Sequence, residues 1–457
     1  DMQNNILLLT DSYKLSHYKQ YPSGTSHIYS YFESRGGKFE QVTFFGLQYL
    51  LKEYLAGEVV TQAKIDQAAK LYAAHFGSES LFNREDWEYI LEKYQGRLPI
   101  RIKAVAEGAV IPTHHVLMTV ENTDPKCYWL SNFLETLLVQ LWYPCTVATT
   151  SKAVRSLILS YLEKTGDPSL IDFKLHDFGF RGVSSVESAG IGGAAHLVNF
   201  MGTDTVTALT FIQEYYQPDS MFGFSIPAAE HSTITSWKQE GELDAYRNML
   251  DQYPEGLVAV VSDSYDVYYA CEKLWGEALK EKILARNGTL VVRPDSGVPK
   301  DVVLKVTEIL GEKIGYTINE KGYKVLVPQI RVIQGDGVNY ESIGEILENL
   351  AVNGWSADNI TFGMGGALLQ KVHRDTQKFA FKCSCATVDG QDRLVFKDPI
   401  TDHGKKSKKG RLKLILKDKE YHTVNLNEEG EDLLVTVFEN GEILKDYTFD
   451  EVKGNSL

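Results

Sequence analysis

Leu290-Val291-Val292-Arg293-Pro294-Asp295-Ser296-Gly297 joins an apolar run to a cation, a carboxylate and a glycine turn. A short apolar run bounded by turn signals reads as a strand buried on both faces. Its end then delivers the polar residues to one point. The pattern recurs along the chain. Leu257 to Val261 runs into Ser262-Asp263-Ser264, and Val332-Ile333 into Gln334-Gly335-Asp336-Gly337. Ile360-Thr361-Phe362 runs into Gly363-Met364-Gly365-Gly366. Several such strands, each ending in a polar or glycine-rich loop, predict a site at one rim of an α/β barrel.

Working outward, residues 151 to 400 alternate strand, loop and helix, which implies parallel βαβ units. Helices are expected from Thr203, as N-cap, to about Tyr216, from Tyr265 to Ala285, and from Tyr340 to Ala351 before Gly354. Residues 1 to 150 are mixed. Lys64 to Phe76 and Tyr128 to Trp142 have helical periodicity, while Ile100 to Val105 and Val116 to Val120 read as strands. Residues 401 to 457 hold the basic loop Lys405-Lys406-Ser407-Lys408-Lys409-Gly410-Arg411 and then strands, with a hairpin turn at Asn440-Gly441. This tail is expected to return to the N-terminal sheet, giving a smaller, discontinuous α+β domain beside the barrel.

The 457 residues carry a net charge of -14, which argues against a general nucleic-acid or anionic-membrane binder. Any phosphate must be held by a local cluster. Five cysteines include no Cys-x-x-Cys pair and suit a reducing compartment. The opening residues are too acidic, and their apolar run Ile6 to Leu9 too short, for a signal peptide. No apolar stretch is long enough to cross a bilayer. A cytoplasmic protein is expected.

Gly335-Asp336-Gly337 and Gly363-Met364-Gly365-Gly366 suit a phosphate cradle, because glycine lets backbone N–H groups converge on an anion. Each could equally be a tight barrel turn. Arg293 suits a phosphate or pyrophosphate fork, and Asp295 suits ribose hydroxyls or a metal-bound water; the alternative for either is a structural ion pair. In His176-Asp177-Phe178-Gly179-Phe180-Arg181-Gly182, Phe178 is either a stacking platform for a flat ring or a core residue. His231, beside Glu230, could be a nucleophile or proton carrier, or structural. Asp204 reads first as an acid complementing a helix dipole.

Thr10-Asp11-Ser12-Tyr13-Lys14, His176 to Gly182, Gly202-Thr203-Asp204-Thr205, Pro227 to His231, Arg293 to Gly297 and Gln334 to Gly337 occur in one order. Together they closely resemble the nicotinamide phosphoribosyltransferases, over nearly the whole length. The resemblance implies a type II phosphoribosyltransferase-like fold, an irregular α/β barrel with a smaller mixed domain, working as a homodimer with its active sites at the interface. It implies transfer of the 5-phosphoribosyl group from phosphoribosyl pyrophosphate to nicotinamide, giving nicotinamide mononucleotide and pyrophosphate in NAD salvage. Mg²⁺ would bind through the pyrophosphate and waters, with no protein metal site, and ATP hydrolysis would be coupled through a phosphohistidine.

Carried over by position, the resemblance makes Phe178 one stacking face for the pyridine ring and Tyr13, from the other subunit, the opposite face. Asp204 would accept from the carboxamide NH₂ and repel nicotinate by charge. Arg181 and Arg293 would grip the pyrophosphate and position the base, and Asp295 would hold the ribose. Gly335, Asp336, Gly365 and Gly366 would cradle the 5′-phosphate, with Arg374 reaching across the interface. Lys382, Lys397 and Lys405 would bind the ATP or pyrophosphate side. His231 would be the phosphorylated histidine, and Asp263 would orient it. Phe180, Met364 and Ala380 depart from the family pattern; at Ala380 the loss is one phosphate hydrogen bond, about 1 kcal/mol. A nicotinate phosphoribosyltransferase and a non-catalytic binding protein that keeps the fold are the competing readings.

Overall fold

The computed structural model describes residues 4–403 and 407–457. The chain divides into two units. The first comprises the residues up to Thr149, Ile212–Asp219 and His373–Leu457, and the second comprises Thr150–Phe211 and Ser220–Val372.

The first unit is built on a seven-stranded antiparallel sheet. Thr25–Ser34 lies inside it, between Phe379–Val388 and Val116–Asn122. The tail returns as the sequence predicts: Val435–Glu439 pairs with Ile100–Ala104, and the hairpin turns at Asn440 and Gly441, both left-handed. That is the backbone an Asn-Gly turn favours. Residues 373–400, expected in the barrel, belong to this unit because Phe379–Val388 pairs along the length of Thr25–Ser34. Strand alternation by itself does not say which sheet a strand joins.

The second unit carries six parallel strands: β1 (Leu175–Asp177), β2 (Gly202–Thr203), β3 (Glu255–Val261), β4 (Asn287–Arg293), β5 (Ile330–Gln334) and β6 (Ile360–Met364). Their order across the sheet is β2-β1-β6-β5-β4-β3. The stretch from Phe224 to Ala228 bridges Gly202 of β2 at one edge and Ala259 of β3 at the other. Both edges of the sheet are thereby met by one extended segment, and the sheet curls around an interior.

Outward residues such as Val258, Leu290, Val292, Val332 and Phe362 are fully buried. Inward residues Ala259, Val291 and Ile333 pack with Phe178 and Ile226. They are too small to fill the barrel, which keeps an apolar cavity of about 420 Å³. The cavity extends from Arg293 and Asp204 at the carboxyl ends of the strands, past Val291 and Ala259, to Leu257 and Phe173.

Two helices differ from expectation. The helix predicted from Thr203 begins at Val206, because Thr203 is still in β2 and its hydroxyl accepts from the Thr205 N–H. The helix predicted from Tyr265 to Ala285 is three pieces, with the wider turns of a π-helix over Ala270–Ala278. The third, Tyr340–Val352, starts with a reciprocal Asn339–Ser342 capping box and is followed by left-handed Gly354.

His196 is completely buried beneath β1 and β2. Its Nε2 lies 3.1 Å from the carbonyl oxygens of Leu175 and Gly202, so this nitrogen carries the proton, and Nδ1 meets the Ser151 hydroxyl at 3.1 Å. Burial is the main reason its pKa falls from 6.5 to about 3. A depressed folded pKa gives stability that is complete above the unfolded value and lost as pH falls toward the folded one. Between pH 6.5 and about 5, this one group is expected to remove about 2 kcal/mol from the unfolding free energy. Urea unfolding across that range checks it, and His196→Gln should lack this component.

Candidate active site

Each of the six parallel strands delivers at least one of the predicted site residues at its carboxyl end. Phe178 and Arg181 follow β1, and Asp204 follows β2. His231 follows the bridging segment and Asp263 follows β3. Arg293 ends β4, with Asp295 two residues on. Gly335 and Asp336 follow β5, and Gly365 and Gly366 follow β6. In a parallel sheet all of these ends lie at one rim, which is why residues distant in sequence meet.

Phe178 stands at the wall between two spaces. One is the apolar cavity; the other is an open polar cavity of about 560 Å³, lined among others by Arg181, Asp295, Asp336 and Gly365. The ring is seated by glycine. A Cβ on Gly363 would lie 1.9 Å from Phe178 Cε2, and one on Gly335 would lie 3.7 Å from the same atom. Phe178 is half-buried and faces both cavities, so it is not a closed core residue.

Asp204 lines both cavities. Its Oδ1 accepts from His176 Nε2 at 2.7 Å and from the Ser225 hydroxyl at 2.5 Å. Burial alone would raise its pKa, but these two hydrogen bonds outweigh it and hold the carboxyl below its ordinary value. Neither His176 nor Ser225 was singled out as a site residue in the sequence. His176 sits in a motif chosen for its neighbours, and Ser225 carries no local signal.

Arg293 also lines both cavities; its buried Nε has no hydrogen-bond partner and stands 3.6 Å from Asp295 Oδ1. An unsatisfied guanidinium donor facing a polar cavity suits an anion. Burial raises the Asp295 pKa, opposed by Arg293 and His231 and reinforced by Asp263 and Asp336. These groups therefore share one field. His231 starts a short helix whose N-cap is Glu230, and its Nε2 is 2.7 Å from Asp263 Oδ1. The largely buried Asp263 holds the ring through Nε2, which leaves Nδ1 as the nitrogen with its lone pair available.

The glycine loops approach each other closely. A Cβ on Gly182 would meet Gly366 Cα at 3.7 Å, and one on Gly365 would meet the Phe178 carbonyl at 3.5 Å. Met364, which departs from the family pattern, is buried, and its carbonyl accepts from the Phe178 N–H. It contributes backbone to the loop and side chain to the core.

The remaining predicted residues lie elsewhere. Tyr13, Arg374, Lys382 and Lys397 belong to the first unit, and Lys405 lies outside the described residues. Tyr13 is 61% exposed. Burial lowers the Lys382 pKa; Arg35, Lys397 and Arg374 add to the effect and Glu135 opposes it. One acid, Glu135, and three cations thus act on Lys382, and of the cations sequence reasoning missed Arg35. Ala380 is buried opposite Glu33 in the same sheet.

Six parallel strands thus end at one rim in arginine, aspartate and glycine-rich loops, beside an aromatic-walled apolar cavity, an arrangement that suits an enzyme acting on a phosphorylated sugar and a flat ring. The chain matches the nicotinate phosphoribosyltransferase (NAPRTase) family over residues 173–442 and the nicotinamide phosphoribosyltransferase N-terminal domain over residues 5–102. It is 53% identical to a nicotinamide phosphoribosyltransferase of Xanthomonas campestris, over 99% of this chain and 98% of the relative. It is 32% identical to one of Acinetobacter baylyi, over 98% and 96%. Among solved structures, a nicotinate-nucleotide pyrophosphorylase from Pyrococcus furiosus shares the fold at a TM-score of 0.62 and 16% identity, covering 99% of this chain and 95% of that one. Human nicotinic acid phosphoribosyltransferase does so at 0.58 and 14%, covering 98% and 93%. The chain therefore belongs to the nicotinate phosphoribosyltransferase family, on its nicotinamide phosphoribosyltransferase branch.

The seat of Phe178 is open to direct test. Gly363→Ala is expected to drive the ring at least about 1.5 Å from its place, the distance needed to restore van der Waals contact. A crystal structure of the variant checks this; an unmoved ring would show that the strand yields instead.

Proposed function

We propose that the protein transfers the 5-phosphoribosyl group of phosphoribosyl pyrophosphate to nicotinamide, forming nicotinamide mononucleotide and pyrophosphate in NAD salvage. The observation that carries this reading is the ionised Asp204 beside the Phe178 ring at the mouth of an apolar cavity. A pyridine ring stacks on Phe178, and its carboxamide NH₂ donates to Asp204. A nicotinate carboxylate in the same place meets like charge. The kinship with nicotinamide phosphoribosyltransferases supports the same choice.

In this reading Gly335, Asp336, Gly365 and Gly366 hold the 5′-phosphate, Asp295 the ribose hydroxyls, and Arg181 and Arg293 the pyrophosphate. The C1–oxygen bond breaks as pyrophosphate departs with the bonding pair. The pyridine nitrogen then donates its lone pair to the oxocarbenium-like C1. No proton need move, so catalysis consists of positioning and of stabilising charge on the leaving group. Asp263, Asp295 and Asp336 offer hard oxygen donors of the kind Mg²⁺ takes. Among the described residues, however, no group of three or more His, Cys, Asp or Glu could hold a metal by itself. Asp295 and Asp263 would meet Mg²⁺ as a pyrophosphate complex, in which the cation would neutralise charge on the leaving group.

His231 Nδ1 would attack the γ-phosphorus of ATP, releasing ADP and leaving a phosphohistidine that adds negative charge beside the pyrophosphate site. The working form is a homodimer in which the first unit supplies Tyr13, Arg374, Lys382, Lys397 and Lys405 to the partner's site. The cations around Lys382 and the exposure of Tyr13 support this arrangement. Among the described residues no helix is long and apolar enough to cross a membrane, and the five cysteines are unpaired, which suits the cytoplasm.

The decisive assay offers nicotinamide or nicotinate with phosphoribosyl pyrophosphate and Mg²⁺, with and without ATP, and measures the mononucleotide formed. Nicotinamide mononucleotide is expected, and a preference for nicotinate would overturn the reading. Asp204→Asn is expected to relax discrimination against nicotinate by about tenfold or more, since it removes a like-charge contact. His231→Ala should abolish stimulation by ATP while leaving measurable transfer without it; undiminished stimulation would remove His231 from that role.

A further inference from the structure

We propose that His176 and Ser225 are positioning residues that set base specificity, holding Asp204 as a charged, acceptor-only group with Oδ2 turned to the substrate. The proposal rests on the reading that Asp204 meets the base. Its ground is the arrangement of three adjacent segments. His176 comes from β1, Asp204 follows β2, and Ser225 lies in the segment that bridges both edges of the sheet. Both donors converge on one carboxylate oxygen, at 2.7 and 2.5 Å. Neither touches Oδ2.

Gly202 makes this convergence possible. It sits opposite His176 in the ladder, and a Cβ there would stand 2.7 Å from His176 Nδ1. Any side chain at 202 would push the imidazole out of line. On its other side the His176 ring packs on Phe178, with centroids 4.9 Å apart. The stacking platform and the specificity carboxylate are thus held by one histidine.

The arrangement exceeds what simple neutralisation requires, because the Asp204 side chain is 45% exposed. Its chemical effect is on the proton. Burial draws the carboxyl pKa upward, and the two donors reverse that. Without them burial would favour the neutral carboxyl, which can donate its O–H to the carboxylate of nicotinate and turn a repulsive contact into an attractive one. The other charged or titratable groups around this pair are Arg293 from β4, Asp177 from β1 and His196 beneath them.

The test compares the parent, His176→Phe, Ser225→Ala, the double variant, His176→Gln and Asp204→Asn, with both bases, at about pH 6 and about pH 8. His176→Phe and the double variant should raise the KM for nicotinamide about tenfold with a smaller change in kcat, the effect of losing a charge-assisted hydrogen bond. Their use of nicotinate relative to nicotinamide should rise, and more at the lower pH. His176→Gln, which keeps an N–H donor, should recover most of the parent's selectivity. Ser225→Ala, at an exposed position, gives the same direction with least risk to folding. If Asp204→Asn relaxes selectivity but the donor variants keep the parent's KM and selectivity, the proposal is wrong and the base reading stands. If Asp204→Asn leaves selectivity unchanged, the base reading fails and takes this proposal with it.

Discussion

The bridging segment from Phe224 to Ala228 is the constraint on which the second unit depends. Six parallel strands leave two edges of unpaired backbone groups, and an open edge is a liability. Here one extended stretch pairs with Gly202 at one edge and with Ala259 at the other. This joins β2 to β3 around the interior and puts Ser225 beside Asp204. It also starts the next helix so that His231 meets Asp263. A change in that path would move three site residues together.

The second governing feature is the smallness of what points inward. Ala259, Val291 and Ile333 leave the barrel hollow where larger residues would fill it. Gly363 and Gly335 then allow a single aromatic ring to lie across the opening. The apolar cavity and the polar rim meet at Phe178, Asp204 and Arg293. An aromatic base and an anionic sugar can therefore be held side by side, in a molecule whose overall charge of -14 would otherwise repel the anion. Local guanidinium groups in a partly buried setting override the global field because their interaction is less screened there.

Much of this was legible before the structure. The strands announced themselves as apolar runs, and the residues after them named the rim. The hairpin at Asn440-Gly441 was readable because few sequences accept two left-handed residues in succession. Three things were hidden. The sheet that Phe379–Val388 joins is a matter of long-range pairing, to which alternation is blind. The start of the helix at Val206 turned on a local contest, in which the Thr203 hydroxyl served a turn within β2's end rather than a helix cap. The closure at 224–228 was invisible because the segment contains Pro227 and lacks the run that marks a strand.

The sequence by itself determined the chemistry on offer: strands ending in arginine, aspartate and glycine, an aromatic in a glycine frame, and a histidine beside a loop. These are local properties, written in residue type and spacing. Only the tertiary structure decided which of them act together. Asp204 looks from sequence like an acid at a helix start; it becomes a candidate specificity group because a histidine 28 residues before it and a serine 21 residues after it donate to the same oxygen. The reason is physical: a hydrogen bond requires approach within about 3 Å, and across such separations only the folded sheet sets that distance.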